Sequence, residues 1–275
     1  MTAMLRADRI SKAFGGVQAL SDCTIDVQPG SITGLIGPNG SGKTTLFNVI
    51  TGYERPDFGE VYFDGRRITG ASPQRVFADG IGRTFQLTRI FPRLTVIENM
   101  LIAAQHTSHL HDRPAGDRYG GDGGAPPAWR FRNPLARAGG PADRQRAMDL
   151  LEFTGIAGHA RALAGTLSYG QRKLLELAYV LVADPEILLL DEPAGGINPS
   201  LIHVIADRIR ELNAAGKTFL IVEHNMEFVM GLCHHIAVLD YGTVVASGPP
   251  RIIRDDPRVL DAYLGIAEDD SEPVG

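Results

Sequence analysis

The sequence predicts an α/β protein with a parallel-sheet core, an antiparallel β subdomain and a smaller helical subdomain. Helical periodicity alternates with short, continuous apolar runs, a pattern typical of strands buried on both faces of a parallel sheet. The apolar runs are Ile32–Ile36, Ile187–Asp191 and Thr218–His224, and Pro199–Ala214 is the helical pattern between the last two. The dipeptide Asp64-Gly65, within Val61–Ile68, is a strong hairpin signal. This hairpin predicts the antiparallel part.

The chain shows no internal repeat, so we expect one domain over residues 1–275. Helical periodicity in Val96–Ala104 and Asp143–Phe153 marks the helical subdomain. A stretch inside it is rich in Gly, Pro, Arg and Asp, which indicates a surface insertion. The predicted parts are residues 1–86 and 166–250 for the core with its β subdomain, 87–165 for the helical subdomain, about 106–141 for the insertion, and 251–275 for a C-terminal helix and tail.

Composition is that of a soluble globular protein, with 44% hydrophobic and 21% charged residues. No run reaches the roughly 18 uninterrupted apolar residues of a membrane helix. Near the N-terminus the chain carries charges where a secretory signal needs an apolar core, at Arg6, Asp8, Arg9 and Lys12. The two cysteines, Cys23 and Cys233, are far apart in the sequence. The net charge of −5 disfavours a nucleic-acid partner. We therefore expect a cytoplasmic protein with reduced thiols.

The stretch "GPNGSGKTT" (Gly37–Thr45) predicts a phosphate-binding loop. It follows the apolar run Ile32–Ile36 and precedes the helical pattern Leu46–Thr51, which is the context that G-x-x-x-x-G-K-[ST] requires. Its glycines let backbone N–H groups face phosphate oxygens. Lys43 is expected at the β and γ phosphates, and the Thr44 hydroxyl on Mg²⁺. The predicted phosphate-binding residues are Gly37, Pro38, Asn39, Gly40, Ser41, Gly42, Lys43, Thr44 and Thr45.

The stretch "ILLLDEP" supplies two carboxylates at the end of a predicted buried strand. Asp191 would lie at the carboxyl edge of the sheet, where it is suited to hold Mg²⁺ through the water shell of the ion. Glu192 would polarise an attacking water as general base. Two acids at a strand end are, by themselves, more often only solvated. The phosphate loop in the same chain favours the catalytic interpretation.

The stretch "LSYGQ" (Leu167–Gln171) has two interpretations. Ser168 and Gln171, placed ahead of the apolar-rich Leu174–Val182, form the pattern of a capping box. The same letters resemble a nucleotide-binding signature. The two are compatible, because a capped helix N-terminus is also a good anion site.

With the phosphate loop, "LSYGQ" and "LLLDEP" in this order, the chain resembles an ATP-binding cassette (ABC) ATPase over nearly its whole length. The resemblance implies that Gln86, in "RTFQ", reaches Mg²⁺ and the attacking water and senses a membrane subunit. It implies that His224, in "IVEH", contacts the γ phosphate and the catalytic glutamate, and that Phe14 stacks on adenine. Taken singly, each has a plainer interpretation: a structural histidine, a surface glutamine and a core phenylalanine.

The resemblance also implies a second subunit. The phosphate loop covers one side of ATP, and in the family the signature of a second cassette closes the other side. Ser168, Gly170 and Gln171 would thus bind the nucleotide of a partner chain. ATP binding would join the subunits, and hydrolysis to ADP and phosphate would separate them and drive membrane permeases.

The family can be narrowed further. The segments Gly80–Leu101 and Asp256–Gly265 ("DPRVLDAYLG"), the long insertion, and Tyr169 in the signature resemble the ATPase of branched-chain amino acid importers. This resemblance implies a peripheral location on the inner face of the membrane, with a solute-binding protein as indirect partner. Uptake of urea or short amides is the alternative, and the second cassette is either a copy or a distinct chain.

Two departures from the family pattern are visible. Asn198 stands where many cassettes carry aspartate, and Leu177–Leu181 lacks an arginine common in the signature helix. Neither removes a predicted phosphate or metal ligand. The missing arginine bears on contacts between subunits.

Other classes and sites fit less well. A soluble ABC ATPase of translation or repair commonly has two cassettes or a coiled-coil arm, and a small-molecule kinase leaves Gln86, Ser168 and His224 unexplained. The insertion begins with three histidines, but lacks the cysteines and helical spacing of a metal site; they are His106, His109 and His111. Its arginines fit a solvated surface better than a lipid contact.

Overall fold

The computed structural model describes residues 3–84, 90–107 and 140–269, with side chains omitted at 105–107 and 264–269. The chain forms two compact units. The first, here called the sheet unit, comprises Met1–Arg83, Glu186–Gly195 and Gly216–Gly275. The second, the helical unit, comprises Thr84–Pro185 and Gly196–Ala215. The predicted insertion lies almost wholly outside the described residues.

All strands named here belong to the sheet unit. In chain order they are β1 Leu5–Phe14, β2 Val17–Val27, β3 Ile32–Ile36, β4 Phe58–Phe63, β5 Arg66–Arg67, β6 Ile81–Arg83, β7 Ile187–Asp191, β8 Thr218–Val222, β9 His235–Asp240 and β10 Thr243–Gly248. They make a four-stranded sheet of order β2-β1-β4-β5 and a six-stranded sheet of order β10-β9-β3-β8-β7-β6. The four-stranded sheet is antiparallel throughout.

The six-stranded sheet has a parallel interior. Strand β3 pairs in parallel with β8 and β9, and β7 pairs in parallel with β6 and β8. Only its edge strand β10 runs antiparallel. Every residue of β3, β7 and β8 is buried, as continuous apolar runs predict. The predicted α/β fold class is confirmed, and the carboxyl ends of β7 and β8 lie side by side.

The helices of the described residues are α1 Lys43–Ile50, α2 Pro73–Ala78, α3 Val96–Thr107, α4 Pro141–Phe153, α5 Tyr169–Leu181, α6 Pro199–Ala214, α7 Met226–Leu232, α8 Pro250–Ile253 and α9 Pro257–Asp269. Helices α3 to α6 belong to the helical unit, and the others to the sheet unit. Short 3₁₀ turns lie at Ala157–His159 and Ala164–Thr166. No helix among the described residues is long and apolar enough to cross a membrane.

The core of the sheet unit lies between its sheets and α1. Phe47 and Leu46 of α1 are fully buried there, with Leu35 of β3 and Leu5 of β1 in the same cluster. This packing fixes the start of α1, and therefore the loop that precedes it. Both cysteines are buried as free thiols. Burial raises the pKa of Cys23 and of Cys233 to about 12, which keeps them inert.

Two local differences from the sequence predictions have clear causes. Strand β6, of three residues, has no periodicity to detect, and it forms by pairing with β7. Strand β8 ends at Val222 rather than at His224, because the N–H groups of His224 and Asn225 donate to the Glu223 carboxylate and not to a neighbouring strand.

Candidate active site

The loop before α1 is packed so closely that two positions admit only glycine. Gly37 and Gly42 have φ values of +149° and +104°. A Cβ at Gly37 would collide with the Leu239 carbonyl oxygen, and one at Gly42 with the Ala19 carbonyl oxygen. The Ser41 N–H donates to the Pro38 carbonyl over 3.2 Å. The predicted phosphate loop is therefore a compact turn that leads straight into α1.

Lys43, the first residue of α1, folds its side chain back over this loop. Its Nζ donates to the carbonyl oxygens of Gly37 and Pro38, at 2.8 and 2.6 Å, and to Ser41 Oγ at 3.3 Å. Burial lowers the pKa of Lys43, and the negative charges of Glu192 and Asp191 oppose this shift. The ammonium group thus lies at the loop, within the field of the two carboxylates.

Asp191, the last residue of β7, is only 5% exposed. Its Oδ2 accepts from Arg83 Nη2 at 3.3 Å, and the two side chains are 8% and 7% exposed. The other terminal nitrogen of Arg83, Nη1, donates to Asn48 Oδ1 and Thr51 Oγ1, both at 2.8 Å. Arg83 therefore connects the predicted magnesium ligand to helix α1 and its C-terminal cap. Sequence reasoning assigned Arg83 no role.

Glu192 leaves the strand with a positive φ of 50°. For a residue with a Cβ, this conformation costs about 1–2 kcal/mol. Its side chain meets His224, with Oε1 and Nε2 2.8 Å apart. The predicted general base and the histidine predicted to contact it thus lie in direct contact, just past the ends of the neighbouring strands β7 and β8.

The Leu167–Gln171 signature begins helix α5 in the helical unit. Its capping box is complete: the Gln171 N–H donates to Ser168 Oγ at 3.2 Å, and the Ser168 N–H to Gln171 Oε1 at 2.9 Å. Ser168 is exposed, whereas Gly170 is buried, and a Cβ there would collide with Leu201. The ring of Tyr169 lies against Gly196, and a Cβ at position 196 would be 3.2 Å from Cε1 of that ring.

The remaining predicted site residues differ in how much the structure says of them. Phe14 is 44% exposed, so it is not a core residue, and Lys12 Nζ lies 5.2 Å from its ring centroid. Gln86 lies outside the described residues, as do His109 and His111. The described residues contain no group of three or more His, Cys, Asp or Glu side chains that could hold a metal.

Mg²⁺ fits the described donors. The ion prefers oxygen ligands and keeps several waters, so one or two protein oxygens suffice beside substrate phosphates. Thr44 is exposed at the start of α1, next to the loop, and Asp191 supplies a carboxylate at the sheet edge. Arg83 holds Asp191 from within the protein.

Two protein-family models match different parts of the chain. The ABC transporter model matches residues 20–195, and the model described as branched-chain amino acid ATP-binding cassette transporter matches residues 243–269. The chain belongs to the ABC transporter family. The high-affinity branched-chain amino acid transport ATP-binding protein LivG of Escherichia coli (strain K12) is 37% identical over 96% of this chain and 98% of its own length.

Solved structures support the same family. The ADP conformation of MJ1267, an ATP-binding cassette of an ABC transporter, matches with a TM-score of 0.79 at 34% identity, over 96% of this chain and all of MJ1267. MJ0796, a bacterial ABC transporter cassette with a dimeric structure, matches with a TM-score of 0.72 at 25% identity, over 90% of this chain and 99% of MJ0796. This ABC protein is thus an ATPase that couples ATP hydrolysis to transport.

Proposed function

We propose that this ABC ATPase powers the import of branched-chain amino acids. The similarity to LivG over nearly the whole chain supports this solute, as does the match of residues 243–269 to the branched-chain amino acid cassette model. We further propose that residues 1–275 form one ATPase domain. The observation that carries the catalytic assignment is the 2.8 Å contact between Glu192 and His224.

In this proposal ATP binds with its phosphates at Gly37–Thr45 and its adenine on the exposed ring of Phe14. Lys43 and the loop N–H groups hold the β and γ phosphates. Bound Mg²⁺ would neutralise phosphate charge, and Thr44, Gln86 and Asp191 would be the residues that hold it.

Glu192 orients the attacking water toward the γ phosphate and accepts its proton. His224 has two roles: it orients the Glu192 carboxylate through their hydrogen bond and contacts the γ phosphate. Little covalent chemistry falls to the protein in such a reaction, and most of the rate enhancement comes from positioning and charge stabilisation. The direct Glu192–His224 contact supports this division of roles.

The phosphate loop leaves one side of the nucleotide open, so the proposed site needs a second cassette. Ser168, Gly170 and Gln171 of that partner would close over the γ phosphate, at the N-terminus of its α5. Ser168 is exposed at the start of α5, which suits this role. The further partners are integral membrane permeases and, indirectly, a solute-binding protein, with the ATPase peripheral on the inner face of the cell membrane.

The catalytic assignment is tested with Glu192→Gln. The amide keeps the shape of the side chain but accepts no proton, so turnover should fall by about 10²–10⁴-fold while ATP still binds. Phosphate release and fluorescent-nucleotide binding measure the two quantities. Wild-type turnover in Glu192→Gln would contradict the assignment.

The solute is tested in vesicles that contain the reconstituted transporter, with its permeases and solute-binding protein. We expect ATP-dependent uptake of labelled leucine, isoleucine or valine that Glu192→Gln abolishes. Urea and acetamide serve as competitors. Uptake that urea or acetamide blocks and excess valine does not would contradict the proposed solute.

A further inference from the structure

A buried carboxylate lies directly before His224. Glu223 is 2% exposed, in the short segment between β8 and α7. It comes from the same strand end as His224, but its side chain goes into the protein, whereas that of His224 is 41% exposed. A buried carboxylate is costly unless hydrogen-bonded donors replace its lost hydration. The contacts of Glu223 therefore bear on its role.

Both oxygens of Glu223 accept hydrogen bonds from the backbone. Oε1 accepts from the Ala194 N–H at 2.5 Å. Oε2 accepts from the N–H groups of His224 and Asn225, at 2.9 and 3.2 Å. Hydrogen bonds to a charged acceptor are short and strong, which compensates for the burial.

The two oxygens reach two different chain segments. Oε2 bonds the segment that carries His224 and enters helix α7, whose N-cap is Asn225. Oε1 bonds Ala194, two residues beyond Glu192. A purely local role ahead of α7 explains the first set of bonds but not the bond to Ala194, which lies 29 positions away in the sequence.

Pairing of β7 with β8 ends at Asp191 and Val222. Past that point the Glu192 N–H donates to the Val222 carbonyl at 2.9 Å, and the Gly195 N–H to the Glu192 carbonyl at 3.1 Å. Glu223 adds a connection from the segment after Glu192 to the segment of His224. The Glu192–His224 side-chain contact lies between these fixed points.

We propose that Glu223 is a positioning residue for ATP hydrolysis, whose buried carboxylate joins the backbone after Glu192 to the backbone of His224 and so sets the distance between the Glu192 and His224 side chains. This inference rests on the proposed roles of Glu192 and His224. Glu223 does not touch the nucleotide, and acts only through the alignment of the two residues that do.

Glu223→Gln is the informative change. An amide has one acceptor oxygen, and its NH₂ group would face a backbone N–H. Whichever way the amide turns, one of the two segments loses its bond. Small misplacements of reacting groups are costly, so kcat should fall by roughly 10- to 100-fold. The KM for ATP should stay within about twofold, because the phosphate loop is unchanged. Glu227→Gln, the same change at an exposed residue of α7, should leave kcat unchanged.

Three readouts separate positioning from a merely structural role. Hydrogen exchange of the backbone at 192–196 or 224–226 should accelerate in Glu223→Gln, without nucleotide. The lower kcat of Glu223→Gln should persist when it is measured well below the melting temperature and expressed per folded molecule. In a His224→Ala background, Glu223→Gln should lower kcat by less than about twofold further, since residues that act together are not additive.

If the wild-type protein hydrolyses ATP and the Glu223→Gln variant retains the full wild-type kcat, this inference is overturned but the proposed function is not. Equal losses from Glu223→Gln with and without His224 would also overturn it, because they would show an effect independent of His224. Full turnover in Glu192→Gln would instead overturn the proposed function, and this inference with it.

Discussion

Asp191 and Glu192 are neighbours in the chain, but each is held by a different partner. Asp191 meets Arg83 inside the protein, and Glu192 turns through a positive φ to meet His224. The sequence could predict the acidic pair, because a buried apolar run ended in it. It could not predict Arg83, which is 108 positions from Asp191 and belongs to a strand too short to detect.

Arg83 gives a prediction about stability. Breaking one side of a buried ion pair leaves a charge with less compensation, which typically costs about 3–5 kcal/mol. Arg83→Met should therefore lower the free energy of unfolding by about that much, as measured by urea denaturation without nucleotide. The double variant Arg83→Met/Asp191→Asn should lose less unfolding free energy than Arg83→Met alone, because it no longer carries the negative charge of Asp191.

A matched control is available at the surface. Arg75 pairs with Asp79 at 2.9 Å on α2, but its side chain is 53% exposed. Exposed pairs of this kind contribute about 0–1 kcal/mol, so Arg75→Met should change the free energy of unfolding by no more than that. Equal effects at Arg83 and Arg75 would contradict a special role for the buried pair.

Three secondary-structure elements were predicted to the residue, whereas the end of β8 was not. Strands β3 and β7 and helix α6 have the predicted bounds. Asn198 is the N-cap of α6, and its side chain accepts from the Leu201 N–H at 2.9 Å. Asparagine and aspartate cap about equally well, so this departure from the family pattern keeps the helix start. Strand order could not be predicted in this way, because it depends on pairings between distant segments that no local pattern encodes.

Helix α5 gives a prediction that separates capping from nucleotide binding. Aspartate caps a helix about as well as serine, so Ser168→Asp should stay within a few tenths of a kcal/mol of wild-type stability. Under the proposed function, its carboxylate would face the γ phosphate of a partner, and ATPase activity should collapse. Thermal denaturation and phosphate release measure the two effects.

Ser168→Ala is the companion variant. It loses the cap, and should be destabilised by about 1 kcal/mol without adding a charge. The expected order of stability is therefore Ser168→Asp above Ser168→Ala, and the order of activity is the reverse. Wild-type activity in Ser168→Asp would confine Ser168 to capping.

At the scale of the whole molecule, the chain carries one phosphate loop and one signature. A closed pair of identical chains has two-fold symmetry, so it would contain two equivalent sites, each with the loop of one chain and the signature of the other. Sequence motifs imply this arrangement only through family resemblance, because a partner leaves no local pattern. An experiment with two inactive variants tests it directly.

Lys43→Ala disables the loop, and Ser168→Asp disables the signature. Each variant alone should be inactive, because both sites of each pair carry a defect. In a mixed pair, one site combines both defects and the other combines the intact loop with the intact signature. If pairing is random, half the pairs are mixed, and a 1:1 mixture should recover up to about a quarter of wild-type ATPase activity. If the wild-type protein is active but the mixture of the two variants recovers no activity, the chain does not pair with itself. The working partner would then be a distinct second cassette.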